Sequence, residues 1–327
     1  MQSTRTASRA GLLALVAALA VLASAPAVRA DPVVAAAGDI ACKSSTPLAG
    51  ECRQMATSNI LVGMNPLDAV LALGDIQYEC GELANFGAFY DPTWGRVRGK
   101  TFPVPGNHEY QTSGCLAGTT GGATGYFNYF GDAATPLQPG CRVRCRGYYS
   151  FDLGAWHLVA LNSMCGKAGG CGAGSPQEKW LRADLAATAQ SCILAYWHHP
   201  RYASKGGAST NVQPLWAALY DAGADLVLTG HSHNFERFAR LGRGTAGTVQ
   251  PTLDPIGMRQ LVVGTGGRSH HGFGAIRTGS EVRNKTTFGV LKLVLHPGSY
   301  DWQFLPEAGQ TFTDAGSDTC YVGPRAG

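Results

Sequence analysis

The chain has 327 residues, enough to bury a sizeable core in one large domain or two small ones. Charged residues make up 15% and the formal net charge is +4. Without Arg5, Arg9 and Arg29 the Lys and Arg count falls from 26 to 23 against 22 acids, a net of +1, which argues against a nucleic-acid or anionic-membrane surface as the main function.

In chain order, residues 1–30 read as a secretory signal. Arg5 and Arg9 are its basic region, Gly11 to Ala25 its small-apolar region, and Val28 and Ala30 fit cleavage before Asp31. The apolar run is shorter than a bilayer span of about 20 residues. Arg5 and Arg9 are not adjacent, so a twin-arginine route has no support. The expected product is a secreted catalytic domain, residues 31–327. All 10 cysteines lie in it, an even number without a CxxC pair, so they read as disulfides rather than a zinc site. Close spacing suggests Cys42–Cys52, Cys141–Cys145 and Cys165–Cys171.

Val33 to Ala37 and Asp68 to Leu73 are apolar strand-like runs, each followed by Gly-Asp. Gln54 to Met64 has helical spacing, as do the aromatics between Gly81 and Trp94. Thr101 to Pro105 predicts a strand leading into Gly-Asn-His. Gln111 to Arg146 is Gly-rich with little periodicity and reads as a long functional loop. Strands are expected at Tyr148 to Leu153 and Trp156 to Leu161. Ser175-Pro176-Gln177-Glu178 predicts a capped helix start, with the helix running to about Ala189. A strand at Cys192 to Trp197, a helix at Val212 to Ala222 and strands at Asp225 to Thr229 and Arg259 to Val263 follow. Phe288 to Leu295 and Tyr300 to Leu305 read as an antiparallel pair. This order predicts a mixed α/β layered sandwich in one domain.

Five polar motifs end these runs: Gly38-Asp39-Ile40, Gly74 to Tyr78 (GDIQY), Gly106 to Tyr110 (GNHEY), Trp197 to Pro200 (WHHP) and Gly230 to Arg237 (GHSHNFER). Their Asp, Tyr, Asn and His side chains converge on one crevice if the strand ends align. A glycine directly before Asp39, Asp75, Asn107 and His231 lets the backbone turn sharply there. Asp75 is the natural bridge between two cations because a carboxylate has two oxygens. Oxygen and imidazole donors suit Fe, Mn or Zn.

The order GD, GDxxY, GNHE, HxP, GHxHxxER resembles calcineurin-like metallophosphoesterases, and the Tyr of GDxxY resembles their purple acid phosphatase branch. YFNYFG, WHLVALNS, GADLVLTGH and VVGTGG are similar to secreted bacterial members of this group. The resemblance implies a four-layer αββα sandwich and a binuclear centre. Its first metal would be held by Asp39, Asp75, Tyr78 and His233, and its second by Asp75, Asn107, His198 and His231. His108 matches the position that contacts phosphate and assists protonation. A Tyr78 phenolate implies Fe(III), a purple colour and a divalent partner ion (Zn, Mn or Fe). The implied reaction is hydrolysis of small-molecule phosphate monoesters by a metal-bridging hydroxide. A phosphodiesterase or nucleotidase on the same scaffold is the alternative, and an inactive metal-stabilised binding protein a more distant one. The chain departs from its relatives after WHHP: Arg201 to Gly206 contains no His, so Lys205, His199 or a residue of the Gly-rich loop would serve as acid. His199, Lys205, His270 and His271 are candidate substrate contacts. His157 and His296 read as structural, and Glu236-Arg237 as a local ion pair beneath the metal loop.

Overall fold

In the computed structural model the apolar run after Pro32 forms β1 (Val33–Ala37), buried along its whole length. Residues 1–2, 31–48, 50–116, 119, 121–136 and 146–325 are described. Residues 3–30 of the expected 1–30 signal and the Cys141–Cys145 pairing lie outside the described residues.

From β1 the chain continues through α1 (Gln54–Gly63), β2 (Ala69–Leu73) and a single turn, α2 (Leu83–Asn85), which opens into a π turn over Phe86–Tyr90. A 3-10 segment, Trp94–Lys100, leads to β3 (Thr101–Val104), and a second 3-10 turn, His108–Tyr110, follows. Next come α3 (Thr124–Phe130), β4 (Tyr149–Leu153), β5 (Trp156–Ala160), α4 (Cys165–Ala168), α5 (Pro176–Ala187) and β6 (Cys192–Trp197). The last elements are α6 (Gln213–Asp221), β7 (Leu226–Thr229), β8 (Phe235–Leu241), β9 (Met258–Val263), β10 (Ser280–Asn284), β11 (Gly289–His296), β12 (Ser299–Pro306) and β13 (Ala315–Thr319).

Two mixed sheets result, ordered β13-β12-β11-β1-β2-β3 and β10-β8-β9-β7-β6-β5-β4. Side chains alternate across the second sheet, as a pleated strand requires. Trp156, Leu158 and Ala160 of β5 face the core shared with Val34, Ala36 and Leu71 of the first sheet. Val159 and Leu161 face a second core with Trp180 and Leu181 of α5 and Leu215 and Trp216 of α6. Leu61 of α1 joins Phe86, Tyr90 and Trp94 against the first sheet. The layers are therefore helix, sheet, sheet, helix, the αββα sandwich that the motifs imply.

Two expectations change here. The Gly-rich stretch holds α3, whose Tyr126, Tyr129 and Phe130 recur at helical spacing and are buried. Tyr129 stacks on Phe86 with ring centroids 4.8 Å apart. A seven-residue helix with a glycine inside it is too short to stand out as a period in the sequence. The aromatic segment from Gly81 to Trp94 is only briefly α-helical before the π turn. At α5, Ser175 Oγ accepts from Glu178 N and the Glu178 carboxylate accepts from Gly174 N at 2.9 Å, so the capped start forms as read. Disulfides join Cys42–Cys52, Cys80–Cys115, Cys165–Cys171 and Cys192–Cys320. They are consistent with an oxidising, extracellular location. Among the described residues no helix is long and apolar enough to cross a membrane.

Candidate metal centre

Parallel pairing of β1, β2 and β3 sets the ends of these strands side by side, and parallel pairing of β5, β6, β7 and β9 does the same in the other sheet. The loops after them hold Asp39, Asp75, Asn107, His198 and His231. Backbone bonds lock neighbouring loops together: Asp39 N donates to Gly74 O (3.1 Å), Ile40 N to Asp75 O (3.0 Å) and Gly230 N to His198 O (3.0 Å). Asp39, Asp75, His231 and His233 have φ of 61, 46, 69 and 43°, in the left-handed region. Side chains there cost on the order of 1–3 kcal/mol each and persist only when the surroundings enforce them. Gly106 and Gly230 make room: a Cβ on the first would overlap Asp75 Oδ1, and on the second would lie 2.7 Å from Asp39 Oδ2.

Each aspartate spends one oxygen on the backbone and turns the other inward. Asp39 Oδ2 accepts from His231 N and Asp75 Oδ1 from His108 N, both at 2.8 Å. Around the inward oxygens two donor sets form. In the first, Tyr78 OH lies 3.0 Å from Asp39 Oδ1, 3.2 Å from Asp75 Oδ2 and 2.9 Å from His233 Nε2. In the second, His198 Nε2 lies 3.1 Å from Asp75 Oδ2, 3.2 Å from Asn107 Oδ1 and 3.3 Å from His231 Nδ1. Asp75 Oδ2 belongs to both. Asp75 Oδ1 accepts from the His108 amide, which leaves Oδ2 facing both sets.

The donors fit cations rather than one another. His198 Nδ1 donates to Leu73 O (2.8 Å), so in the neutral ring Nε2 is a bare lone pair among the oxygens of Asp75 and Asn107. Burial works to lower the His198 pKa, yet Asp75 and Asp39 raise it to about 9. The site thus demands positive charge, which a cation supplies as well as a proton. Spacings of 2.9–3.3 Å also match the edges of a coordination shell with bonds of about 2.1 Å. Burial, Asp39 and Asp75 push the Tyr78 phenol well above its usual range, so only a strong Lewis acid displaces its proton.

Supporting residues that the motif reading missed surround the donors. Buried Glu109 accepts from the amides of Gly106 (2.7 Å), Asp75 (3.0 Å), Ile76 (2.8 Å) and Gln77 (3.2 Å). It was visible as the Glu of GNHEY. Ser269 Oγ lies 2.9 Å from His233 Nδ1 and fixes that ring. Arg268 stands 5.2 Å from the Tyr78 ring centroid, paired with Glu51 and, at 2.8 Å, with Glu79.

His108 places Nε2 3.9 Å from Asp75 Oδ2 and Nδ1 2.5 Å from Glu79 O. His199 packs 4.3 Å from the His231 ring and its Nδ1 meets Ser163 Oγ at 2.9 Å. Burial, then His198 and His231, lower its pKa to about 2, so it is neutral. After WHHP, Arg201 and Tyr202 are buried and Ser204 bonds Glu236, while Lys205 Nζ reaches His271 Nδ1 at 2.5 Å. His271 stacks on His233 with centroids 4.0 Å apart. His270 turns to Phe288, with centroids 3.9 Å apart, and its Nδ1 lies 3.4 Å from the His233 carbonyl oxygen. His157 pairs with Asp152 and Asp184, and His296 with Asp31 and Asp301, both structural as read. Glu236 and Arg237 do not pair with each other. They sit on opposite faces of β8: Glu236 accepts from Ser204 and Ser280, and Arg237 pairs with Asp314 and Glu281.

The family model for calcineurin-like phosphoesterases matches residues 32–235. An uncharacterised protein of Mycobacterium tuberculosis is 29% identical over 194 residues, 51% of this chain and 35% of that one. Purple acid phosphatase 15 of Arabidopsis thaliana is 32% identical over 127 residues, 37% of this chain and 22% of that one. The chain thus matches about a third or less of the length of these relatives. A purple acid phosphatase from yellow lupin seeds superposes with a TM-score of 0.66 at 19% identity, over 88% of this chain and 53% of that one, and shares the fold. The chain belongs to the calcineurin-like phosphoesterase family.

Proposed function

We propose that this chain is a secreted phosphomonoesterase with a binuclear metal centre, Fe(III) in the Tyr78 site and Zn, Mn or Fe(II) in the other. The observation that carries this reading is the single oxygen Asp75 Oδ2, common to two donor sets that each hold three further N or O donors. Asp39, Asp75, Tyr78 and His233 would hold the first ion, and Asp75, Asn107, His198 and His231 the second. Two such ions supply an acidified water as nucleophile and offset charge on the phosphoryl oxygens.

The chain's own residues do the rest. Leu73 O and Ser269 orient the imidazoles of His198 and His233. His108 offers an imidazole edge beside Asp75, where it donates to a phosphoryl oxygen as the bond to the leaving group breaks. Lys205, against a neutral His271, brings a cationic rim to the His233 side and His199 a neutral one to the His231 side, and the leaving oxygen takes its proton from this rim or from solvent. Small-molecule phosphate esters are the proposed substrates. The alternative, a phosphodiesterase or nucleotidase, shares every ligand and differs only at the rim.

Metal analysis joined to turnover of p-nitrophenyl phosphate and bis-p-nitrophenyl phosphate tests the reading. Two ions per chain and preference for the monoester are expected. Strong preference for the diester overturns the monoesterase, and a metal-replete chain inert toward a broad ester panel overturns the enzyme.

A further inference from the structure

A cavity of about 430 Å3 opens beside the His108–Tyr110 turn and plays no part in the chemistry above. Tyr110, Phe127, Asn128, Arg146 and Lys167 are among its walls. The Arg146 guanidinium and the Lys167 ammonium make no ion pair or hydrogen bond among the described residues, although Lys167 Nζ stands 6.0 Å from the Tyr110 ring centroid. Two exposed cations on one cavity, with no acid lining it among the described residues, form a positive field that favours an anionic occupant. The volume lies within the range of ligand pockets.

The cavity is tied to the metal centre by short links. Tyr110 N donates to Asn107 O at 3.1 Å, and a 3-10 turn rises about 2 Å per residue, so the aromatic wall begins within about 6 Å of that candidate ligand along the chain. Asn162 Nδ2 donates to Tyr110 OH (2.9 Å) and to Arg146 O (2.7 Å). Its neighbour Ser163 meets His199, which lies against His231. The end of β5 therefore braces the cavity wall and the second donor set together.

We propose that this cavity is a leaving-group subsite for a second phosphate, so that the preferred substrates are small molecules carrying two or more phosphates. The proposal rests on the phosphomonoesterase reading and narrows its substrate class. Arg146 and Lys167 bind the phosphate that stays on the product, while Tyr110 and Phe127 supply an apolar wall to the carbon skeleton between the two groups.

The test uses the metal-loaded chain, with kcat/KM measured on p-nitrophenyl phosphate, fructose 6-phosphate and fructose 1,6-bisphosphate. The bisphosphate should be preferred over the monophosphate at least tenfold, mainly through KM, and the preference should fall as salt rises. In the R146M/K167M double variant the bisphosphate should lose tenfold or more while p-nitrophenyl phosphate loses less than threefold. The charge-keeping R146K/K167R pair should restore most of the preference, which separates charge from packing. No preference in the wild type, or a preference unchanged in R146M/K167M, overturns the subsite. If p-nitrophenyl phosphate is not cut at all, the phosphatase reading fails by itself. Calorimetric binding of fructose 1,6-bisphosphate then decides the subsite: tenfold weaker binding by the double variant supports it and equal binding sinks it.

Discussion

The carboxylate of Glu109 accepts from the backbone amide of Asp75 at 3.0 Å, and in doing so sets the left-handed turn that aims Asp75 Oδ2 at both donor sets. The same carboxylate gathers three more amides, so the loops after β2 and β3 share one buried anchor. Glu109→Gln keeps the shape but halves the oxygen acceptors and introduces an NH2 among N–H groups. Groups that orient ligands typically change metal affinity by about 10–100-fold. We expect a loss of that order in a competitive chelator titration, with helix and strand content unchanged by circular dichroism. An unaltered affinity would show that Glu109 is only a fold residue.

Asp75 and His108 adjoin through the His108 amide but differ in what their removal should do. Asp75→Asn replaces the shared anionic oxygen by a neutral one, so metal and activity should vanish together. His108→Ala leaves all seven donors in place. It should keep both ions, by elemental analysis, and lose about 10²-fold or more in kcat, the usual scale for a proton-transferring side chain. Full activity in His108→Ala would be incompatible with that role.

The centre was more legible in the sequence than the frame around it. Asp39, Asp75, Asn107, His198, His231 and His233, which the fold brings together, lie in short motifs after strands, and four of them, Asp39, Asp75, Asn107 and His231, directly follow a glycine. Glu109 stands inside GNHEY, but its four bonds to backbone amides leave no pattern that marks its role, and Ser269 acts through one contact to the His233 ring. Three polar strands, β8, β10 and β13, were missed as well. Arg237, Arg240 and Arg259 pair with Asp314, Asp318 and Glu281 across them, so charged residues occupy strand positions where alternating apolar ones are the usual signal. The expected Glu236–Arg237 pair failed for the same reason: neighbours in a strand point to opposite faces.

Tyr78 carries the claim for iron, and Arg268 tests it from the side. With Fe(III) bound, a phenolate ligand gives a visible charge-transfer band, which Tyr78→Phe should abolish while the other donors still bind metal. The Arg268 guanidinium, 5.2 Å from the ring centroid, stabilises electrons on the phenolate. In Arg268→Met that field is lost and the carboxylates of Glu51 and Glu79 lose their guanidinium partner. Both changes raise the phenolate donor level, so the band should move to longer wavelength, and Arg268→Lys should move it less. A colourless, active wild type holding Zn or Mn would discard the Tyr78–iron assignment but not phosphoester hydrolysis.

His157 gives a pH dependence that is independent of the metals. Its ring bridges Asp152 (2.7 Å) and Asp184 (2.9 Å) on the helix-covered side of β5. Burial works against the charged ring, but the hydrogen bonds to Asp184 and Asp152 and their charge outweigh it, and the pKa is raised above the usual histidine value. A proton is therefore bound more tightly in the folded chain than in the unfolded one. The resulting stability is fully present below the unfolded pKa of about 6.5 and drains away as pH climbs through the raised folded value. Asp152 is half-exposed, so solvent screens its arm and the Asp184 arm dominates. Removing one charge-assisted bond of this kind costs about 1.5–3 kcal/mol. His157→Gln should accordingly lower the melting temperature by several degrees at pH 5 and by clearly less at pH 9, measured by calorimetry in a metal-saturated buffer. An equal loss at both pH values would mean that His157 contributes packing and no charge.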